Sequence, residues 1–359
     1  MAVPTVRTED EMPPGALVRT RTGDTVDTYH GTRVSDPYRW LEDGESDEVR
    51  AWTSMQNAHT RATLDRIPGR ATLHENVTRM LSVGHAGAPS AKGKGKARRY
   101  FHTKRAGTQN QPVLYVREGA SDRVLVDPAT LSSDGTTALD WWFPSNDGKL
   151  LAWGSSESGS EESTLHIRDV ATGKDLPDVI EWVKFSNASW SKDGKGFYYS
   201  RFDAPADGNK LKAVNEFHKI YHHTLGTPQS ADTLVYDRKD QPRWYLGASV
   251  SDDGRWLVIG IESGDSVNNA MAYRDLSKPD APLTELFNKF DAKYTFLGND
   301  GTTFYVQTDL DAPRGRVWAI DVTKPERANW REVVPQTKDA LASSSIVGIL
   351  WGIDRSTIP

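Results

Sequence analysis

The sequence predicts a mainly β protein, a β-propeller made of four-stranded blades and preceded by a short helical N-terminal segment. Three observations predict it. An Asp-Gly turn recurs between aromatic and β-branched runs, at Asp147-Gly148, Asp193-Gly194, Asp253-Gly254 and Asp300-Gly301. The steps between those aspartates are 46, 60 and 47 residues, which suit a four-stranded blade rather than a helical solenoid unit. Each turn is followed, after a polar loop, by a further β-rich run with its own turn: LHIRDVATGK from Leu165, YHHTLGT from Tyr221, AYRDLSK from Ala272 and VWAIDVTK from Val317.

The clearest copy is SWSKDGKGFYYS, Ser189 to Ser200. Asp193 and Gly194 make the turn, the glycine tolerating positive φ, and Trp190 with Phe197 to Tyr199 favours pleated, half-buried backbone. A fifth copy is visible earlier, with VLYVREG at Val113 to Gly119 preceded by a strand at Arg99 to His102. A β-sandwich with accidentally similar turns is the alternative, but it does not require the paired runs to recur.

From the N-terminus, residues 1 to about 27 are polar and carry Pro13, Pro14 and Gly15, which predicts an extended arm. In the stretch from Asp36 to Ile67, Val49, Trp52, Met55 or Gln56, and His59 fall at helical spacing. Ser46 is placed to cap that helix, Asp47 and Glu48 suit its first turn, and Pro68-Gly69 ends it. A second helix is predicted over Thr72 to Leu81. The basic, glycine-rich tract Ala91 to Arg99 lacks interleaved aromatics and reads as a loop rather than an anion site. The acidic stretch SSESGSEES, Ser155 to Ser163, reads as a solvated connection.

Composition narrows the function classes. At 37% hydrophobic residues the chain builds a sizeable core, and its 12 Trp and 12 Tyr suit packing between sheets. A net charge of -5 gives no whole-molecule attraction to nucleic acid or to an anionic membrane. With Cys 0 there is no disulfide, thiolate metal site or cysteine nucleophile. The N-terminus has charges and prolines where a secretory signal needs an apolar core, and no run reaches a membrane-spanning length, so a cytoplasmic location is expected.

The run DPYRWLED, the following helix with Gln56-Asn57, RRYFHTKRAGTQNQPVLYVRE, and VKFSNASWSKDGKGFYYSRFD together resemble the N-terminal half of the prolyl oligopeptidase family of serine peptidases. The resemblance runs from about Asp27 to about Val347. It implies a seven-bladed propeller inserted between a helical segment and a C-terminal α/β-hydrolase domain, capping an active site that cuts short peptides after proline. On that count this is an incomplete β-propeller of about five to six blades. The expected division is 1–71 for the arm and helical segment, 72–347 for the propeller and 348–359 for an atypical tail. The match stops at about Gly348, so Ile349 to Pro359 is expected to be a truncated or frame-shifted end. Exposed blade edges would then invite association with another chain.

Such a peptidase needs a serine on a G-x-S-x-G elbow, followed by Asp and His. GSSES at Gly154 to Ser158 and GASVS at Gly247 to Ser251 come nearest, and both lack the second glycine. No catalytic residue is expected here, because the resemblance places all three triad residues beyond Pro359. His218, His222 and His223 have an HxxxHH spacing that would suit zinc on a helix, but the run is β-rich, which sends neighbouring side chains to opposite faces. No metal and no cofactor is expected. The resemblance implies two substrate-facing residues, Phe185 in VKFS and Tyr245 in RWYLGAS, with inter-blade packing as the alternative role. Near Ile261 some relatives carry a substrate-contacting arginine; here the order is IESGD with Glu262, and that role does not transfer. Short proline-containing peptides are the expected partners if a catalytic domain is supplied. A non-catalytic peptide- or protein-binding propeller and a decayed gene product without selected function are the alternatives.

Overall fold

The structure, a computed structural model, describes residues 18–204 and 214–341. The expected tail at 348–359 and the first part of the arm lie outside the described residues. Two compact units divide the chain, Met1–Gly84 and His85–Pro359.

In the first unit, strands Val26–Tyr29 and Thr32–Ser35 pair antiparallel. Their turn places His30 and Gly31 at φ 51 and 82, the positive values that a tight two-residue hairpin demands. This hairpin carries no strong sequence signal, since its turn is His-Gly and its strands bury no face. Arg39 ties it down, binding Asp36 at 2.7 Å and also Asp27. Helix α1 spans Asp47–Leu64, with Ser46 Oγ accepting from the Val49 amide at 3.3 Å. Its half-buried stripe carries Trp52, Met55, Gln56 and His59, the residues whose spacing predicts the helix. Helix α2, Arg70–Leu81, starts two residues before the predicted Thr72, directly after Gly69 at φ 83.

The second unit holds five blades among the described residues. In the first, His85–Ala86 and Ser90–Lys92 both pair with Arg99–Arg105, followed by Val113–Glu118 and Ser121–Val126. The second runs Thr137–Pro144, Leu150–Glu157, Ser163–Asp169 and Asp175–Val183. The third is Ser189–Trp190, Gly196–Arg201, Lys219–Thr224 and Thr233–Tyr236. The fourth is Trp244–Val250, Trp256–Ser263, Asn269–Asp275 and Thr284–Phe287. The fifth is Tyr294–Asp300, Thr303–Thr308, Arg316–Asp321 and Arg331–Val334. In the second to fifth blades the strands pair antiparallel in sequence order, so each is a four-stranded meander.

Strand alternation makes the core. In the second and fourth blades the second strand is largely buried, and its successive side chains point to the two neighbouring blades. In the second blade Leu151 and Trp153 join Phe101 and Leu114 of the first, while Ala152 joins Trp190 and Phe197 of the third. In the fourth, Leu257 and Ile259 meet Ile220 of the third, and Trp256 and Val258 meet Phe304 and Val306 of the fifth.

The four Asp-Gly turns form, with the glycines at φ 71, 69, 79 and 59. In three of them the aspartate accepts from the amide two residues on, at 3.0 Å for Asp147, Asp193 and Asp253. The turns also bind across blades. Gly93 donates its amide to the Asn146 carbonyl at 3.1 Å, Trp190 Nε1 donates to the Phe143 carbonyl at 2.9 Å, and Asn299 Nδ2 donates to Asp253 Oδ2 at 2.7 Å. The glycine-rich basic tract is therefore packed against the second blade rather than simply solvated; Arg99 donates to the Gly148 carbonyl at 2.9 Å.

Candidate functional site

The two aromatic residues singled out by resemblance come together. Phe185 follows the last strand of the second blade and Tyr245 sits in the first strand of the fourth; their rings meet edge to face with centroids 5.3 Å apart. Phe202 of the third blade stands edge-on to both, at 6.5 and 6.4 Å. Phe185 is 51% exposed, so this is not closed inter-blade packing. Its backbone lies at φ 50, a left-handed conformation that costs a bulky residue of order 1–3 kcal/mol and persists only where the surroundings enforce it.

Beside this pair stands His218, whose spacing to His222 and His223 raised a metal-ligand role in the sequence. It is buried, with Nε2 donating to the Lys184 carbonyl and Nδ1 accepting from the Leu246 amide, both at 3.0 Å. A carbonyl only accepts and an amide only donates, so the tautomer is fixed. Burial pushes the imidazole pKa down to about 4, against an opposing hydrogen bond to Lys184, so the ring is neutral near pH 7. His218 thus fastens the residue before Phe185 to the residue after Tyr245. Its ring also lies tilted against Phe202, with centroids 4.5 Å apart.

The other histidines fit the strand reading. His222 and His223 are neighbours in Lys219–Thr224; His222 Nε2 lies 3.0 Å from Ser191 Oγ, whereas His223 is buried between Asp178 and Asp232. The two near-elbow sequences are strand: Gly154 lies within Leu150–Glu157 and Gly247 within Trp244–Val250. Among the described residues no helix is long and apolar enough to cross a membrane.

Two depressions meet at Tyr245. A cleft of about 730 Å³ is lined by Tyr245, Gly247, Gly260 and Glu262 of the fourth blade and by Tyr294 and Phe296 of the fifth. A smaller one, about 390 Å³, is lined by Phe185, Tyr245, Leu246, Gly247 and Glu262. Close by, Glu161 of the acidic stretch reaches Lys184 at 3.1 Å, and the Lys184 ammonium lies 5.2 Å from the Phe185 ring centroid. The acidic stretch is therefore tied to the rim of the site. An exposed Phe185 ring and a half-buried Tyr245 ring beside a cleft lined by Gly247 and Gly260 offer apolar contact to a ring or alkyl group. Among the described lining residues of the larger cleft the serines, Ser249, Ser263 and Ser266, have no histidine with them.

Residues 18–348 match the family model described as "Prolyl oligopeptidase, N-terminal beta-propeller domain". The prolyl endopeptidase of Elizabethkingia meningoseptica is 37% identical over 317 residues, covering 88% of this chain and 44% of that protein. Prolyl oligopeptidase A of Amanita bisporigera is 32% identical over 92% of this chain and 47% of its own length. Among solved structures, one from a study of two prolyl endopeptidases superposes with a TM-score of 0.80 at 35% identity, covering 90% of this chain and 47% of that one. Prolyl oligopeptidase B from Galerina marginata, bound to a 35mer hydrolysis and macrocyclization substrate, gives a TM-score of 0.79 at 29% identity, over 93% of this chain and 50% of that one. The chain spans less than half the length of these two curated relatives. Blade repeat, helical segment and sequence match agree: the chain belongs to the prolyl oligopeptidase family, as its N-terminal β-propeller domain.

Proposed function

We propose that this chain gates and holds short proline-containing peptides for a serine peptidase whose hydrolase domain is carried outside these 359 residues. The observation that carries the reading is Phe185, half exposed, at positive φ and edge-on to Tyr245, with His218 bonded to the carbonyl of the residue before it. Strained backbone that presents an aromatic ring to solvent is the mark of a binding position rather than of packing. Catalysis would proceed through an acyl-enzyme on a serine supplied by the hydrolase domain.

The test is titration of the purified chain with a short proline-containing peptide. Binding that is lost in Phe185→Ala supports the reading, and failure to bind overturns it. Hydrolysis of a proline-containing chromogenic peptide by the rigorously purified chain alone would overturn the division of labour.

The open cleft between the fourth and fifth blades would also serve a second reading, a non-catalytic peptide- or protein-binding propeller. Adding a separately expressed hydrolase domain separates the two, since only the gating role gains cleavage. The domain division proposed with the first reading, 1–71, 72–347 and 348–359, breaks earlier than the compact units, which divide between Gly84 and His85, and limited proteolysis tests it. Cytoplasmic residence and association through blade edges belong to the same proposal, to be tested by cell fractionation and by sedimentation.

A further inference from the structure

Strand register brings together residues that the sequence keeps apart. Within the fourth blade Tyr245 pairs directly with Glu262, and Gly247 with Gly260. Residues two apart on a strand share a face, so both pairs lie side by side. Leu246, Ala248, Ile259 and Ile261 fill the core on the other face. On the shared face Val258 is packed into the core against the fifth blade, but the two glycines beside it leave the space empty; a Cβ at either meets nothing within 4 Å. Glycines inside a strand weaken it, and such positions mark close approach of a ligand or another backbone.

The hollow so made is the larger cleft, with Met271 and Phe296 on its apolar walls and Glu262 at its mouth. Glu262 is exposed and makes no ion pair among the described residues. The other charged group lining the cleft is Lys293, which is likewise exposed and is contributed by the fifth blade. A carboxylate beside an aromatic ring, over a channel wide enough for an alkyl stem, matches a side chain with an apolar stem and a cationic head.

We propose that Tyr245, Glu262 and the Gly247–Gly260 pair form a subsite for a lysine or arginine side chain of a bound peptide. The stem lies along the glycines, and the head rests between the Glu262 carboxylate and the Tyr245 ring. This deepens the peptide-binding reading and rests on it: Glu262 selects basic peptides.

Calorimetric titration of the chain with short proline-containing peptides, identical except for lysine, norleucine or glutamate at one scanned position, tests the subsite. At the position that reaches the hollow the lysine peptide binds about tenfold more tightly than the norleucine peptide, and the glutamate peptide more weakly still. The advantage shrinks as salt is raised. Glu262→Gln abolishes it while the thermal midpoint stays unchanged, as expected for an exposed side chain, and Gly260→Val abolishes it by filling the hollow. Equal affinity for lysine and norleucine peptides at every position, with binding still lost in Phe185→Ala, overturns the cation subsite and leaves the peptide-binding reading standing. A lysine advantage that survives Glu262→Gln overturns it too. No binding of any peptide overturns both.

Discussion

His223 Nδ1 lies 2.7 Å from Asp232 Oδ1 in the third blade, and its other ring nitrogen lies 3.0 Å from Asp178 Oδ1 at the end of the second. All three side chains are buried, and Tyr199 donates its hydroxyl to the remaining Asp232 oxygen at 2.6 Å. Burial pulls the imidazole pKa down, but the hydrogen bonds and charges of the two aspartates outweigh it and the net shift is upward. A raised folded-state pKa contributes stability that is complete below the unfolded value, about 6.5, and is lost as pH rises through the folded value. Thermal midpoints measured from acid to alkaline pH should therefore include a decline above neutrality that vanishes in His223→Gln. That variant leaves two buried carboxylates without their cation and should lose about 3 kcal/mol at pH 6. A pH profile unchanged by the substitution would refute the bridge.

His218 should show the opposite sign. Its folded pKa is pushed down to about 4, so its contribution is complete above about 6.5 and erodes as pH falls toward 4. Replacing it by leucine strands the Lys184 carbonyl and the Leu246 amide, a cost of about 3 kcal/mol by denaturant titration. Peptide affinity should fall with it, because Phe185 and Tyr245 lose their common anchor.

Phe185→Gly is expected to separate stability from recognition. Glycine adopts φ 50 without strain, so unfolding free energy should rise by about 1 kcal/mol, while affinity for proline-containing peptides drops about tenfold. A variant that is both less stable and equally good at binding would mean that Phe185 is a packing residue.

Gly196→Ala probes the third blade. The new Cβ would stand 2.2 Å from the His223 carbonyl oxygen and 2.9 Å from the His222 ring, in a position where backbone cannot yield cheaply. A loss of about 3 kcal/mol is expected from the denaturant midpoint.

The blades were legible because their turns are chemical: Asp-Gly at Asp147, Asp193, Asp253 and Asp300 fixes a reversal wherever it falls, and the flanking Trp190 or Trp256 marks the buried strand. The hairpin at Val26–Ser35 was not, since His30 in a positive-φ turn has no strong local signature. The aromatic pair was reached only through family resemblance, as Phe185 and Tyr245 lie on different blades and only assembly of the blades brings their rings together. His218 and the Gly247–Gly260 floor were out of reach for a related reason. Their meaning depends on which residue of a distant strand stands opposite, and a period-two pattern does not reveal that register.

The strand Trp244–Val250 has Tyr245 at one end and leads into the Asp253-Gly254 turn at the other, so recognition and fastening occupy opposite ends of the same short element. At the turn end, Asn299 and Trp256 bind the fourth blade to the fifth; at the Tyr245 end, the cleft lies open between them. In the proposed peptide-binding role, substitutions at the cleft end would redraw which peptides are accepted while the fastened end keeps the blades in place, so that preference could drift without loosening the fold.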